Sequence, residues 1–177
     1  MERAVFLDRD GTINEDVGHL SSKEDLVFIP GAIQALKRLG AKFRLFIVTN
    51  QAGIGENYFD ERDYREVNEY LHSVLRENSI IVEQTYCCPH TKEENCLCRK
   101  PGTFFVEQAV KTYGIDPARS FVVGDHPHDV EMGVKVGAKT VYLLTGHGRK
   151  HLNELSVDPD TVENDLYDAA EWILRAE

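Results

Sequence analysis

The sequence predicts an α/β fold with a doubly wound, mostly parallel sheet and helices on both faces. Short apolar segments rich in β-branched and aromatic residues alternate with segments of helical periodicity. The links between them are short, and several apolar segments do not alternate with polar residues, as expected of strands that helices cover on both sides. Ligands of such sheets bind beyond the carboxyl ends of the strands. The residues that follow each strand are therefore the candidates for a functional site.

Five short apolar runs are predicted strands, and a helix candidate follows each of them. The predicted strands are 4–8, 44–49, 81–87, 120–124 and 140–144. The predicted helices are 31–39, 60–77, 103–113, 129–136 and 166–176.

The helix predicted over 60–77 has the most complete signals. Asp60 is a candidate N-cap and Asp63 falls in the first turn, where carboxylates are favourable. A single apolar stripe follows at helical spacing. Its members are Tyr64, Val67, Leu71, Val74 and Leu75.

Composition and charge limit the classes of protein that fit. The 177 residues are 42% hydrophobic and 28% charged, which suits one globular domain over 1–177. The longest apolar runs span only four residues and no signal peptide is visible, so we expect a cytoplasmic protein with no membrane partner. The formal net charge of −10 argues against nucleic acid as a partner. We expect a monomer.

Polar residues follow four of the predicted strands. Asp8 and Asp10 end the first strand, Thr49 ends the second, Lys100 follows the third and Asp125 ends the fourth. Two neighbouring carboxylates repel each other unless a cation lies between them, and Mg²⁺ accepts carboxylate and phosphate oxygens. The sequence therefore predicts a Mg²⁺ site at Asp8, Asp10 and Asp125.

This set of residues suits transfer of a phosphoryl group. Asp8 would attack phosphorus and form an aspartyl-phosphate. Asp10 would protonate the leaving alkoxide and then accept a proton from the attacking water. Thr49 and Lys100 would stabilise the phosphoryl oxygens.

The four cysteines lie within a dozen residues, which favours a metal site over disulfides in an intracellular protein. Three thiols and one imidazole suit a closed, structural Zn²⁺ site. The loop over about 87–100 would hold it. Consecutive strand residues face opposite ways, so Cys87 and Cys88 cannot both take part, and Cys88 is preferred because it forms a C-x-H unit with His90, which leaves Cys87 as the spare thiol. The expected zinc ligands are Cys88, His90, Cys96 and Cys98.

Four motifs together resemble the haloacid dehalogenase superfamily: DRDGT (8–12), VTN (48–50), RKP (99–101) and GDxxxD (124–129). The resemblance covers nearly the whole chain in the same order. It implies a Rossmann-like fold, a Mg²⁺ cofactor and the roles given above, with the backbone carbonyl of Asp10 as a metal ligand. Asp129 would cap its helix or orient neighbours.

The cysteine motifs, CPH (88–90) and CxCRKP (96–101), resemble the zinc-bearing branch of this superfamily. That branch implies removal of the 7-phosphate from D-glycero-D-manno-heptose 1,7-bisphosphate or, as the alternative, hydrolysis of histidinol phosphate. His126 stands where heptose enzymes usually have lysine. The resemblance implies substrate contacts from Arg9, Asp16, Gly18, His19, Asn50, Gln51, Ala52 and Arg99.

The segment between the first two strands and the segment that follows the second are too short for a large cap domain. We expect an open site, bordered by 16–26, 53–59 and the zinc loop. We expect the basic loop over 145–150 to lie near the rim and to assist a second phosphate, which favours the heptose bisphosphate as the small phosphorylated metabolite on which the protein acts. A polynucleotide end phosphatase and a non-catalytic binding module are the less favoured interpretations.

Overall fold

The computed structural model of the chain describes residues 1–176, and its centre is a six-stranded parallel sheet. The strand order is β3-β2-β1-β4-β5-β6, so β1 lies near the middle and the chain winds outward in both directions. This is the predicted doubly wound α/β fold. The strands are β1 (Ala4–Leu7), β2 (Arg44–Asn50), β3 (Val82–Cys88), β4 (Phe121–Gly124), β5 (Lys139–Leu143) and β6 (Thr161–Glu163).

Seven α-helices connect and cover these strands. Three short 3₁₀ helices, Lys23–Asp25, Pro117–Arg119 and Leu152–Glu154, lie in the connections. The α-helices are α1 (Ala32–Gly40), α2 (Ala52–Gly55), α3 (Glu61–Glu77), α4 (Phe104–Tyr113), α5 (Pro127–Val136), α6 (Gly148–His151) and α7 (Leu166–Arg175).

The core lies in two layers, one on each face of the sheet. Alternate residues of β1 serve the two layers: Val5 and Leu7 pack with α1, α3 and α7, whereas Ala4 and Phe6 pack with α4 and α5. All four residues are fully buried, which explains why the strand shows no polar alternation. The two covered faces fix the sheet and bring the carboxyl ends of β1, β2 and β4 to one edge.

All five predicted strands and all five predicted helices occur in the structure, with ends that differ by one or two residues. Helix α3 begins as expected, because Asp60 and Asp63 form a reciprocal capping box. Its buried side chains are Val67, Leu71 and Leu75. Tyr64, which also belongs to the predicted stripe, is only partly buried.

The short elements were not predicted: the two four-residue helices α2 and α6, the edge strand β6 and the three 3₁₀ helices. Strand β6 has three residues, none of them buried, and it pairs only with β5. No helix within the described part of the chain is long and apolar enough to cross a membrane. The structure also has no large cap domain between β1 and α4, in agreement with the prediction for these residues.

Candidate active site

A cleft of about 260 Å³ lies at the carboxyl ends of β1, β2 and β4. Asp8, Thr49, Lys100 and Asp125 line it, as do Asp10 and the nearby Asp129. The four motifs identified in the sequence therefore meet in one place: they lie far apart along the chain, but the strands that precede them are neighbours in the sheet.

The ammonium group of Lys100 lies between two carboxylates inside this cleft. Its Nζ donates to Oδ1 of Asp8 and to Oδ1 of Asp129, both at 2.7 Å. Burial alone would lower the pKa of Lys100, but the charges of Asp129 and Asp8 outweigh that effect and raise it. Lys100 is thus a fixed positive charge beside the predicted nucleophile.

Asp125 is the third carboxylate of the cluster. One oxygen from each of Asp8, Asp125 and Asp129 lies within 4.8 Å of the others. Burial raises the pKa of Asp8 to about 6, against the opposing effect of Lys100. Burial, reinforced by the charges of Asp8 and Asp129, raises that of Asp125 to about 9. The single positive charge of Lys100 therefore does not neutralise the three carboxylates. Their oxygen atoms fit a divalent cation that prefers oxygen ligands, such as Mg²⁺.

Two glycines allow the backbone to pass directly against Asp125. A Cβ atom on Gly11 would lie 2.2 Å from Oδ2 of Asp125, and one on Gly146 would lie 2.1 Å from it. The same oxygen accepts the backbone N–H of His147 at 2.7 Å. Thr145 Oγ1 donates to the carbonyl of Gly11 at 2.6 Å, so the 145–148 loop and the turn after β1 hold Asp125 between them.

The carboxylate of Asp10 is held outside the acidic cluster. Arg9 donates to both of its oxygens, from Nε at 3.0 Å and from Nη2 at 2.8 Å. Asn14 and Gln51 donate to it as well, at 2.9 and 2.7 Å. Burial alone would raise the pKa of Asp10, but the Arg9 ion pair and the amide donors outweigh it and hold the pKa below its usual range.

Arg9 does not lie where a substrate contact was expected. Its side chain has no exposed surface, pairs with Asp10 and is not among the residues that line the cleft. The physical reason is the turn after β1, in which the Arg9 carbonyl accepts the backbone N–H groups of Thr12, Ile13 and Asn14. This turn directs the Arg9 side chain into the protein beside Asp10.

The last two residues of β2 and the residue that follows the strand contribute three polar side chains. Thr49 is buried at the cleft, and its Oγ1 accepts a hydrogen bond from Gln51 Nε2 at 2.8 Å. The Asn50 amide holds the backbone of Lys100, since its Oδ1 accepts the Lys100 N–H at 3.0 Å and its Nδ2 lies 3.4 Å from the Lys100 carbonyl oxygen. All three residues line the cleft.

The cysteine–histidine cluster forms as predicted. Four ligand atoms, from Cys88, His90, Cys96 and Cys98, lie within 4.8 Å of one another. Separations that involve Cys88 or Cys98 run from 3.2 to 3.6 Å, close to the spacing of about 3.8 Å for sulfurs on a tetrahedral Zn²⁺. Cys87 lies outside the cluster, as expected from the C-x-H unit that begins at Cys88. The donor set is consistent with a closed zinc site.

The zinc loop is tied to the cleft through the residues that follow it. Arg99 Nη1 donates to the carbonyl oxygen of His90 at 3.2 Å. Lys100, the next residue, is two positions beyond Cys98 and is also held by Asn50. The loop therefore fixes the backbone from which the Lys100 ammonium group projects.

The remaining predicted substrate contacts also line the cleft: Asp16, Gly18, His19, Ala52 and Arg99. Asp16 accepts the N–H of Gly18 at 2.7 Å and lies 2.9 Å from Nε2 of His147. The His19 ring stacks on Tyr58 with centroids 4.1 Å apart. The 16–19 segment is thereby joined to the 145–148 loop and to the segment after α2.

Four further residues near the cleft had no site role in the sequence-based prediction. Asn14 donates a hydrogen bond to the carboxylate of Asp10. The only sequence feature that could have indicated this contact is that Asn14 follows Asp10 by four residues. His126, His128 and His147 line the cleft. Nδ1 of His126 accepts the N–H of His128, and burial, together with the charges of His128 and His151, lowers the pKa of His126 to about 4.

The fold and these strand-end residues define a phosphatase of the HAD-like hydrolase class. The HAD-hydrolase-like family model matches residues 97–169. A solved D,D-heptose 1,7-bisphosphate phosphatase from B. bronchiseptica, in complex with magnesium and phosphate, superposes with a TM-score of 0.91 at 29% identity over 99% of both chains. A second, from Burkholderia thailandensis, gives a TM-score of 0.75 at 28% identity over 98% of this chain and 99% of that one.

Relatives of known family complete the assignment. A D-glycero-beta-D-manno-heptose-1,7-bisphosphate 7-phosphatase of Haemophilus ducreyi is 37% identical over 97% of this chain and 98% of its own length. The Helicobacter pylori strain J99 protein of the same name is 42% identical over 81% of this chain and 83% of its own. The chain belongs to the D-glycero-D-manno-heptose-1,7-bisphosphate 7-phosphatase family.

Proposed function

We propose that the protein is a Mg²⁺-dependent phosphatase that removes the phosphate from C7 of D-glycero-D-manno-heptose 1,7-bisphosphate. The observation that carries this proposal is the position of Asp8, whose carboxylate lies in the cleft between the Lys100 ammonium and the carboxylates of Asp125 and Asp129. The family to which the chain belongs supports the choice of sugar.

Asp8, Asp125 and the backbone carbonyl of Asp10 are the proposed Mg²⁺ ligands. When bound, the cation neutralises charge on the carboxylates and the phosphate, so that one anion can approach another. A solved relative that holds magnesium and phosphate supports this cofactor. Asp129 is a less suitable ligand, because Lys100 and the N-terminus of α5 already engage its two oxygens.

Asp8 is the proposed nucleophile. Its carboxylate oxygen forms a bond to phosphorus as the bond between phosphorus and the sugar oxygen breaks. The ion pair with Arg9 favours the ionised form of Asp10 in the free protein, so Asp10 takes up a proton from solvent before the step. The protonated Asp10 then gives this proton to the departing alkoxide. Asp10 then takes a proton from water, the water oxygen attacks phosphorus, and inorganic phosphate leaves with Asp8 restored.

Lys100 and Thr49 are the proposed donors to the phosphoryl oxygens. Lys100 is held by Asp8, Asp129 and the Asn50 amide, so it needs little reorganisation when charge develops. The Thr49 hydroxyl accepts from Gln51 and therefore keeps its own hydrogen available for the substrate.

The rest of the sugar bisphosphate would lie along the open side of the cleft. Asp16, Gly18 and His19 border one wall, and Asn50, Gln51, Ala52 and Arg99 contribute the other proposed contacts. The Cys88–His90–Cys96–Cys98 cluster is proposed to bind Zn²⁺ structurally, since all four positions of a tetrahedral site are protein ligands.

Phosphate release by the purified protein with Mg²⁺ tests the proposal. The substrates are both anomers of the heptose bisphosphate, with histidinol phosphate as the comparator and the Asp8→Asn variant as the control for contaminating phosphatases. We expect a kcat/KM for one heptose anomer at least about a hundredfold above that for histidinol phosphate, with the 1-phosphate retained in the product. A higher value on histidinol phosphate would overturn the choice of substrate.

A further inference from the structure

The side chain of Arg9 contacts the proposed proton donor and has no access to the cleft. Nε and Nη2 of Arg9 meet the two oxygens of Asp10 in a parallel pair of hydrogen bonds at 3.0 and 2.8 Å. The guanidinium is fully buried, and its carbon lies 5.7 Å above the ring centroid of Tyr64 in α3. Nη1 has no hydrogen-bond partner among residues 1–176.

Two amides complete the contacts of the Asp10 carboxylate. Asn14 donates to Oδ1 and Gln51 donates to Oδ2, so each oxygen accepts two hydrogen bonds. Two parallel bonds from one guanidinium resist rotation of the carboxylate plane. A short side chain at the end of a strand would otherwise turn freely about two bonds.

We propose that Arg9 is a positioning residue that orients Asp10 toward the leaving oxygen, and that it does not contact substrate. This inference rests on the proposed phosphatase function. Proton transfer to a leaving group requires the donor to lie within hydrogen-bond reach of one oxygen, and small losses of orientation reduce its rate strongly. Arg9 supplies that orientation from behind the carboxylate.

The positive charge of Arg9 also reduces the negative charge at the cleft. Four carboxylates, those of Asp8, Asp10, Asp125 and Asp129, surround the position of an anionic substrate. Lys100 pairs with two of them and Arg9 pairs with a third. Arg9 therefore also reduces repulsion at the cleft without occupying any of its volume.

Two substrates with different leaving groups can distinguish a role of Arg9 in positioning Asp10 from a purely structural role. A sugar alkoxide requires a proton as it departs, whereas 4-nitrophenolate departs as an anion and gains little from one. The parameter kcat/KM includes only steps up to the first irreversible one, which here is formation of the aspartyl-phosphate with loss of the alcohol. Later use of Asp10 as a base does not enter this comparison.

The experiment measures kcat/KM of wild type, Arg9→Met and Arg9→Lys for the heptose bisphosphate and for 4-nitrophenyl phosphate, with Mg²⁺. We expect Arg9→Met to lower the ratio of the first value to the second by at least about tenfold. Arg9→Lys, which keeps the charge, should recover part of the ratio. Arg44→Met is the matched control, because Arg44 pairs with Glu83 at the opposite end of the strands.

An equal loss on both substrates, or no loss, would overturn the inference. If Arg9→Met does not fold, Asn14→Ala removes one donor from Asp10 and should lower the same ratio by a smaller factor; an unchanged ratio in a folded Asn14→Ala protein would also overturn it. Failure of wild type to hydrolyse either substrate would instead contradict the proposed function.

Discussion

Nζ of Lys100 lies 2.7 Å from Oδ1 of Asp8, although 92 residues separate them in the chain. The pair joins the end of β1 to the segment between the zinc cluster and α4. Because the same ammonium also binds Asp129, the proposed nucleophile Asp8, the Lys100 side chain and the N-terminus of α5 form one connected unit. Single substitutions can remove Asp8, the Lys100 charge or a ligand of the zinc cluster one at a time.

Replacement of Asp8 by asparagine keeps the size of the side chain but removes the attacking oxygen anion. We expect phosphate release to fall at least about a thousandfold, while the circular dichroism spectrum and the cooperative unfolding transition persist. Trapping with a phosphate mimic such as fluoroberyllate should saturate wild type and leave the variant unmodified. Substantial residual turnover would exclude the covalent route.

Removal of the Lys100 charge should affect both catalysis and folding. Lys100→Met leaves Asp8 and Asp129 without their shared partner, so we expect kcat/KM to fall about a hundredfold or more. Without Mg²⁺, the free energy of unfolding should fall by about 3 kcal/mol, as for other buried pairs that lose one member. Lys135→Met, in which an exposed lysine of α5 is changed, provides the control for loss of a cation. An equal change in the free energy of unfolding for the two variants, measured in urea, would contradict the ion pairs of Lys100 with Asp8 and Asp129.

The zinc cluster should determine the position of Lys100. Cys98→Ser removes one of the four ligands, and we expect zinc content to fall from about one ion per chain, the melting temperature to drop by several degrees and kcat to fall about tenfold or more. Cys87→Ser alters the neighbouring thiol outside the cluster and should keep its zinc. Metal analysis and thermal melts of the two variants provide the comparison. Equal zinc content in both would show that Cys98 is not a ligand.

Stability of the metal-free protein should depend on pH in a direction set by the acidic cluster. The pKa of Asp125 is raised to about 9 and that of Asp8 to about 6, so the folded state binds more protons than the unfolded state above pH 4. Each group therefore stabilises the fold fully below its unfolded pKa, and this contribution is lost as the pH rises, through about 6 for Asp8 and about 9 for Asp125. Mg²⁺ binds the ionised form, so the rise in melting temperature caused by Mg²⁺ should be larger at pH 8.5 than at pH 5. A uniform Mg²⁺ effect across this range would contradict the assigned site.

Local sequence patterns were enough to predict much of the site. In β3 the C-x-H unit selected Cys88 over Cys87, and the two side chains face opposite sides of the strand. The end of each strand likewise located Asp8, Thr49 and Asp125, since parallel strands present their carboxyl ends at one edge. These predictions depend on local periodicity and on one general property of the fold.

Contacts that depend on loop conformation were not predictable in this way. Arg9 lies in a turn in which one carbonyl accepts three backbone N–H groups, and this turn directs its guanidinium toward Asp10 instead of the cleft. Asp129 caps α5 as its position suggested, but its bond to Lys100 joins residues 29 apart and left no local pattern. Strand β6 was missed because three partly exposed residues give no periodic signal.

Gly11 and Gly146 lie so close to Asp125 that the floor of the cleft tolerates fewer substitutions than its mouth. A methyl group at either position would overlap the carboxylate, so randomised libraries should exclude both sites and the aspartate between them. Exposed side chains at the mouth, such as His19 and Tyr58, carry no such restriction. Directed evolution toward other phosphorylated sugars should therefore vary the mouth and leave the floor intact.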